Sequence, residues 1–319
     1  MKKHAILVSG SLAYDRIMNY GGVFSDHILP EKVHTLSVSF MVDTLVEHFG
    51  GTAGNIAYSL ALLGDTPVVL GSVGGDFDRY KKHCTDHGME TRGIQIVDAD
   101  HTASAWIMTD RRDNQITAFH PGALVKPSMM GQGEGIRGLL KGVGFVIVAA
   151  GNHDDMRRLP ALAKRKGIPY AYDPGQMLPM LSKRDLVAGL TGAHSVFVND
   201  YELALLLKKT GLSMAALRGK VGALVTTLGA RGSRIETGQK TYRIPAAKPK
   251  AVADPTGAGD AYRAGFIHGV LAGWDWPTIG RFAGLISVYT VEQLGTQTHR
   301  FAWKELRARY RKNFSRNLP

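Results

Sequence analysis

Short apolar runs of strand length alternate along this chain with helix-length amphipathic segments. The apolar runs are residues 6–8, 68–73, 143–150, 170–173, 196–199 and 224–228. Strands that are apolar throughout are buried on both faces, and the helices between them cross back over a parallel sheet. The pattern therefore predicts an α/β fold with a doubly wound, mainly parallel sheet flanked by helices.

Two segments, residues 16–48 and 92–122, break this rhythm. Polar and apolar residues alternate at 33–40 and 102–109, and the second stretch runs into a turn-like segment at 110–114. Alternation is typical of strands with one buried face. We expect these segments to form a small β-sheet lid over the carboxyl ends of the parallel strands. Because no repeat or Pro/Ser-rich linker is visible, a single domain is expected over residues 1–319.

Composition narrows the classes of function. The chain has 39 Lys and Arg residues against 27 Asp and Glu residues, a formal net charge of +12. The basic residues lie in short runs without interleaved aromatic residues, so we expect solvated surfaces and no nucleic-acid partner. The single cysteine, Cys84, excludes an internal disulfide framework and a cysteine-rich zinc site. Because such cysteine usage fits a reducing compartment, a cytoplasmic protein is expected. No membrane partner is expected, since nowhere do ~18 consecutive apolar residues appear.

A predicted helix start near residue 257 is the strongest local signal for a site. Apolar residues recur at helical spacing over 260–272, directly after the run Thr256-Gly-Ala-Gly259. The first N–H groups of a helix are unpaired and attract anions, and glycines let an anion approach closely. We therefore predict an anion hole at Gly257, Ala258 and Gly259. Asp260 beside it could take a proton from an attacking hydroxyl, or it could only complement the positive helix end.

Two motifs carry a resemblance to a known family. Residues 254–266 read Asp-Pro-Thr-Gly-Ala-Gly-Asp-Ala-Tyr-Arg-Ala-Gly-Phe, and residues 50–57 read Gly-Gly-Thr-Ala-Gly-Asn-Ile-Ala. They resemble the carboxyl-terminal and amino-terminal signatures of the ribokinase-like (PfkB) carbohydrate and nucleoside kinases. Neither a P-loop motif nor a Gly-x-Gly-x-x-Gly after the first strand is present. The resemblance implies phosphoryl transfer from ATP to a hydroxyl group, with Asp260 as the general base.

The same resemblance assigns binding residues. It implies that the sugar is held by Asp15, Gly50, Gly51 and Asn55, that the nucleotide phosphates are held by Asn199, Thr227, Gly229 and Gly232, and that Mg²⁺ is organised through Glu202. A monovalent cation and a homodimer formed through the lid are left open. The residues alone are equally consistent with purely structural roles, namely an aspartate in a turn, helix caps and a solvated β-turn.

Tyr262 and Arg263 make the carboxyl-terminal signature more similar to that of nucleoside and adenosine kinases than to that of ribokinase or fructokinase, which indicates a nucleoside acceptor. Phe40 and Phe119 in the expected lid could sandwich a base, or could pack within the lid. We expect phosphorylation of the 5′-hydroxyl of a ribonucleoside, adenosine or another purine nucleoside. The alternatives are a kinase of ribose, fructose or a phosphorylated hexose, and a non-catalytic nucleoside- or sugar-binding regulator.

Overall fold

A computed structural model describes residues 5–28, 30–112, 114–126, 128, 133–238 and 240–319. Within these residues, nine strands form one large sheet: β1 (Ala5–Ser9), β4 (Thr66–Gly74), β5 (Glu90–Val97), β8 (Val143–Val148), β9 (Tyr170–Tyr172), β10 (Ser195–Asn199), β11 (Ala223–Thr227), β12 (Ser233–Thr237) and β13 (Thr241–Ile244). Their order is β13-β12-β11-β10-β9-β8-β1-β4-β5, and neighbouring strands pair in parallel except for β11–β12 and β12–β13, which are antiparallel. The mainly parallel sheet predicted from the apolar runs is confirmed.

Helices cover both faces of this sheet. They are α1 (Thr52–Leu62), α2 (Asp78–Asp86), α3 (Gly133–Leu139), α4 (His153–Arg165), α5 (Lys183–Leu190), α6 (Asp200–Thr210), α7 (Met214–Arg218), α8 (Ala258–Leu271), α9 (Trp276–Val291) and α10 (Trp303–Phe314). Alternate side chains of β1 enter different cores: Ile6 and Val8 pack with α1 and α8, whereas Leu7 packs with α4 and α6. No described helix combines the length and apolar character needed to cross a membrane.

The chain changes direction across the sheet between β1 and β8. After β1 it builds β4 and β5 on one side, and from β8 onward it builds the other side. In open parallel sheets, ligands bind at the carboxyl ends of the strands where the order reverses. The strand ends come close together here, because a Cβ added at Gly151 would lie 2.7 Å from the Cα of Gly10. The fold therefore places a crevice at this edge.

A separate four-stranded sheet forms the lid, from β2 (Ala13–Asn19), β3 (Thr44–Gly50), β6 (Ala103–Thr109) and β7 (Gln115–His120), in the order β3-β2-β6-β7. Two details differ from the sequence-based expectation. Residues 90–97 form β5, which joins the main sheet after the α2 crossover and pairs with β4. The strand expected at 33–40 is wrong: a 3₁₀ segment (Pro30–Thr35) is followed by irregular backbone. Val33, Leu36 and Val38 are exposed, so their alternation does not face a core.

Candidate active site

Helix α8 begins at the crevice on a residue that must be glycine. Gly257, its N-cap, has φ +75°, a left-handed conformation, and an added Cβ would lie 3.0 Å from Cγ2 of Thr296. Asp254 stabilises the preceding loop, because its two carboxylate oxygens accept the N–H groups of Thr256 at 2.9 Å and Gly295 at 3.1 Å. The amino end of α8 is thus presented at the crevice by a fixed loop.

Asp260 lies in the first turn of α8. Its Oδ2 accepts a hydrogen bond of 2.8 Å from Nδ2 of Asn55, and none of the described residues hydrogen-bonds to its Oδ1. Loss of hydration by burial raises the pKa of Asp260 to about 7, although the charge of Arg263 and the bond from Asn55 act against it. A carboxylate with a pKa near neutrality and a free oxygen has the properties of a general base.

The predicted sugar-binding residues converge on this carboxylate. Asp15 on β2 lies against Gly50, where an added Cβ would be 2.2 Å from its Oδ2. Gly51 has φ +86°, and an added Cβ would lie 2.5 Å from the carbonyl oxygen of Ser11. Burial, and secondarily the charge of Asp254, raise the pKa of Asp15 to about 6. The lid strand, the Gly-Gly junction and α8 therefore bring the carboxylates of Asp15 and Asp260 near each other.

A buried network behind Asn55 was not identified from the sequence. Oδ1 of Asn55 accepts from Nε2 of Gln297 at 3.0 Å, and the same nitrogen lies 2.6 Å from the hydroxyl of Tyr80. Gly54 makes room for these groups, since an added Cβ would lie 1.9 Å from that hydroxyl. Gln297 lies in the segment after α9 and belongs to neither signature. No sequence signal marked it, because its partners are distant along the chain.

Arg263 has a structural partner at the end of β9. Its Nε and Nη2 donate to Oδ2 and Oδ1 of Asp173 at 2.6 and 3.2 Å, and Nη1 donates to the carbonyl of Gly259 at 2.9 Å. The guanidinium is buried and lies over the ring of Phe197. It therefore anchors the first turn of α8 from inside the protein.

A cavity of ≈ 620 Å³ opens on the other side of this turn. Thr227, Gly229 and Gly232 line it together with Ala258 and Gly259, and its far wall comes from residues of α9. Most of the predicted phosphate-loop residues thus share one cavity with the predicted anion hole. Arg231 lies outside its lining and pairs with Asp200 at 2.8 Å on the exposed surface.

Asn199 and Glu202 form a capping box at the start of α6. Oδ1 of Asn199 accepts from the N–H of Glu202, and Oε2 of Glu202 accepts from the N–H of Asn199, both at 2.7 Å. Neither residue lines the cavity. Across the described ranges, no three His, Cys, Asp or Glu side chains are grouped to hold a metal ion. The capping interpretation of the pair is confirmed, and one oxygen of Glu202 stays outside the box.

The two lid phenylalanines occupy different environments. Phe40 packs with Tyr20, Phe24 and His27, which is packing within the lid region. Phe119 on β7 is 51% exposed. Asp15 lies opposite Ala105, which in turn lies opposite Phe119, so both side chains are on the same face of the lid sheet. No ring contact among the described residues joins Phe40 and Phe119, and only Phe119 shares the face of Asp15.

Comparisons with known proteins cover nearly the whole chain. The family model described as pfkB family carbohydrate kinase matches residues 14–302. The nucleoside kinase of Burkholderia thailandensis in complex with inosine has a TM-score of 0.85 and 36% identity, with 98% of this chain and 99% of that chain covered. Its structure in complex with ADP-inosine has a TM-score of 0.83 and 37% identity, covering 98% and 97%. The nucleoside kinase of Methanothermobacter thermautotrophicus is 33% identical over 78% of this chain and 80% of its own.

Proposed function

This chain belongs to the pfkB family of carbohydrate kinases, and we propose that it transfers the γ-phosphoryl group of ATP to the 5′-hydroxyl of a purine ribonucleoside. The observation that carries the proposal is the position of Asp260. It lies in the turn of α8 that lines the 620 Å³ cavity, with Asp15 near enough for its charge to raise the pKa of Asp260 and with Oδ1 unpaired among the described residues. The relatives in complex with inosine and ADP-inosine support a nucleoside acceptor.

The residues divide the chemistry between them. The 5′-hydroxyl gives its proton to Oδ1 of Asp260 while its oxygen bonds to the γ-phosphorus. The bond from that phosphorus to the β,γ-bridging oxygen then breaks, and ADP leaves. The N–H groups of Gly257, Ala258 and Gly259 at the helix end stabilise the charge that develops on the phosphoryl oxygens. Asp15 accepts hydrogen bonds from the ribose diol, and Gly50 and Gly51 let the ribose approach the backbone.

We place the nucleotide in the 620 Å³ cavity because of the residues that line it. Gly229 has φ +58° with nothing within 4 Å of an added Cβ, so its backbone is open toward a phosphate. The described residues offer no acidic cage, and Mg²⁺ commonly keeps its waters and binds through substrate phosphates. Mg²⁺ would therefore arrive with ATP, and the second oxygen of Glu202 would hold it through water. When bound, it neutralises phosphate charge.

The negative charges around Asp260 favour a neutral acceptor over a phosphorylated sugar. The charge of Asp254 raises the pKa of Asp15, and the charge of Asp15 raises the pKa of Asp260. A sugar phosphate would bring further negative charge to these three carboxylates, which is unfavourable. Neutral nucleosides and free sugars avoid this repulsion. A ribose or fructose kinase is therefore the second candidate, and a phosphorylated hexose is the weakest acceptor.

The outer face of the lid supports pairing of two subunits. Leu45, Trp106 and Ile116 are exposed on the face opposite Asp15. Because exposed apolar patches favour association, we propose a homodimer through this face. Sedimentation of the purified protein should give twice the mass of one chain, and a monomer at micromolar concentration would contradict the proposal.

Acceptor and donor can be tested together. Purified protein with MgATP is assayed for ADP formation with inosine, adenosine, guanosine, cytidine, ribose and fructose 6-phosphate. We expect the highest kcat/KM with a purine nucleoside, and 5′-phosphorylated product by ³¹P NMR. Turnover confined to ribose would replace the nucleoside with a free sugar, and turnover confined to fructose 6-phosphate would replace it with a phosphorylated one. Tight nucleoside binding without ADP formation would favour a regulator.

A further inference from the structure

A chain of hydrogen bonds connects Asp260 to α2 through the protein interior. Asp260 is bonded to Asn55 at 2.8 Å, Asn55 to Gln297 at 3.0 Å, and Gln297 to Nε2 of His83 at 3.0 Å. Asn55 and Gln297 are 5% and 4% exposed, so little water competes for these bonds. The four residues come from α8, α1, the segment after α9, and α2. Four separate parts of the chain are thus linked by three successive hydrogen bonds, the last of which ends on Oδ2 of Asp260.

The donors and acceptors of these hydrogen bonds are compatible with only one arrangement. An ionised Asp260 can only accept, so Asn55 must present Nδ2 to it and Oδ1 to Gln297. Gln297 then donates through Nε2 to Asn55 and to the hydroxyl of Tyr80, which itself donates to the carbonyl of Gly50 at 2.7 Å. The oxygen of Gln297 faces His83, whose Nε2 supplies the hydrogen. Each bond fixes the direction of the next.

We propose that Gln297 is a positioning residue for the phosphoryl transfer: it fixes the carboxamide of Asn55 so that Nδ2 holds Oδ2 of Asp260 and leaves Oδ1 to receive the proton of the acceptor hydroxyl. The inference rests on the proposed function, in which Asp260 is the base. It adds a residue that lies outside both signatures, does not touch Asp260 and acts through Asn55.

The opposite orientation of Asn55 would disable the base. With its carboxamide turned by half a rotation, Oδ1 of Asn55 would face Oδ2 of Asp260. Two acceptors would then repel, or Asp260 would keep a proton to bridge them. Burial already raises the pKa of Asp260 to about 7, so loss of one donor leaves it largely protonated at neutral pH.

The other groups that act on Asp260 do not substitute for Gln297. Arg263 lowers its pKa from the next turn of α8, while Asp173 from β9 and Asp15 from β2 raise it. These three charges keep their places whichever way Asn55 is turned. His83 stacks on Phe49 with ring centroids 4.2 Å apart, and burial followed by the charge of His87 lowers its pKa to about 4. His83 is therefore a neutral hydrogen-bond donor at the pH values at which Asp260 titrates.

The test compares Gln297→Leu with a control that loses a buried hydrogen bond elsewhere. The control is Thr210→Val, because Thr210 is buried and its hydroxyl donates to the carbonyl of Leu206 at 2.7 Å, in the helix layer on the other face of the sheet. For Gln297→Leu we expect the acidic limb of the kcat–pH profile to move up by roughly one unit, with kcat at pH 6.5 lowered about tenfold. The KM for the nucleoside should change far less. Thr210→Val should keep the wild-type profile.

A second variant covers the case in which Gln297→Leu does not fold. His83→Phe keeps a ring over Phe49 but removes the donor to Gln297, so the same upward shift is expected, smaller in size. An unshifted acidic limb in Gln297→Leu, or in His83→Phe if only that variant folds, overturns the proposal. A lower kcat without a shifted limb does so as well, since that result indicates a structural role.

A readout without turnover separates this inference from the proposed function. The carboxyl carbon of Asp260 is followed by ¹³C NMR in aspartate-labelled protein, and its signal is assigned by its loss in Asp260→Asn. If the wild type phosphorylates none of the acceptors, the proposed function fails, yet the titration still reports on Gln297. An upward shift of the titration in Gln297→Leu supports the positioning role, and an unchanged titration rejects it.

Discussion

Arg263 and Asp173 form a bidentate ion pair one turn along α8 from Asp260, with the guanidinium also bonded to the carbonyl of Gly259. Both side chains are almost fully buried. The pair therefore links the end of β9 to the first turn of α8, and it places a positive charge beside the carboxylate that would otherwise be fully penalised by burial.

Replacing Arg263 should be costly for stability. Arg263→Met leaves Asp173 buried without its partner, and we expect the free energy of unfolding to fall by about 3–5 kcal/mol in urea titrations. Arg231→Met breaks the exposed pair with Asp200 and is the control, with an expected loss below about 1 kcal/mol. If both variants lose the same small amount, the buried pair is not an anchor. The double variant with Asp173→Asn should recover part of the loss.

The general base can be distinguished from a helix-end charge. Asp260→Asn should lower kcat by roughly two to four orders of magnitude while nucleoside binding stays near normal. Asp275→Asn is the matched control, because Asp275 caps α9 through the N–H of Thr278 at 2.8 Å and lies outside the site. That variant should keep its kcat. Full turnover by Asp260→Asn would leave Asp260 only the role of complementing the helix dipole.

Asp260 should also make the protein less stable as pH rises. Its pKa is about 7 in the folded protein, above the unfolded value of 3.8, so the folded state binds the extra proton between these pH values. Stability from this group is present below about pH 4 and is lost as pH rises through 7. Asp260→Asn should therefore unfold at higher urea than the wild type at pH 8, and the difference should shrink toward pH 4. A difference independent of pH would contradict the raised pKa.

The left-handed N-cap of α8 provides a test of backbone geometry. Gly257→Ala should lose about 1–2 kcal/mol from its positive φ and should also lose kcat, because the added Cβ pushes against Thr296 at the proposed anion hole. Gly273→Ala has nearly the same φ, +72°, but nothing lies within 4 Å of its added Cβ. It should show a comparable loss of stability with kcat retained. Equal kcat values in the two variants would argue against an anion hole at this turn.

Which face of the lid sheet contacts the acceptor can be tested by replacing one aromatic residue on each face. Phe119→Ala should raise the KM for a purine nucleoside about tenfold or more, since stacking of a base on an aromatic ring contributes ~1–3 kcal/mol. Trp106→Ala removes an exposed aromatic residue on the opposite face, where Arg16 lies over its ring. Its KM should stay close to that of the wild type. A larger effect of Trp106→Ala would place the acceptor on the other side of the lid.

The sequence predicted what depends on local patterns. Continuous apolar runs identified the parallel strands, and the Gly257 to Asp260 segment identified the helix end, because both are properties of contiguous residues. The strand predicted from the alternation at 33–40 is wrong, because periodicity does not indicate whether a partner strand exists. Val33 and Val38 are exposed. Gln297 and Asp173 were beyond prediction as partners: each meets its partner across the fold, 242 residues away for Gln297 and 90 for Asp173.

The placement of the proposed acceptor-binding residues on a second sheet has a consequence for how substrate preference could change. Asp15 and Phe119 belong to the lid strands, whereas Asp260 and the cavity lining belong to helices and loops of the main body. If the proposed function holds, substitutions along β6 and β7 would alter which acceptor is bound and leave the surroundings of Asp260 unchanged. Divergence of substrate range would then proceed by exchanging lid side chains, with little penalty to catalytic competence.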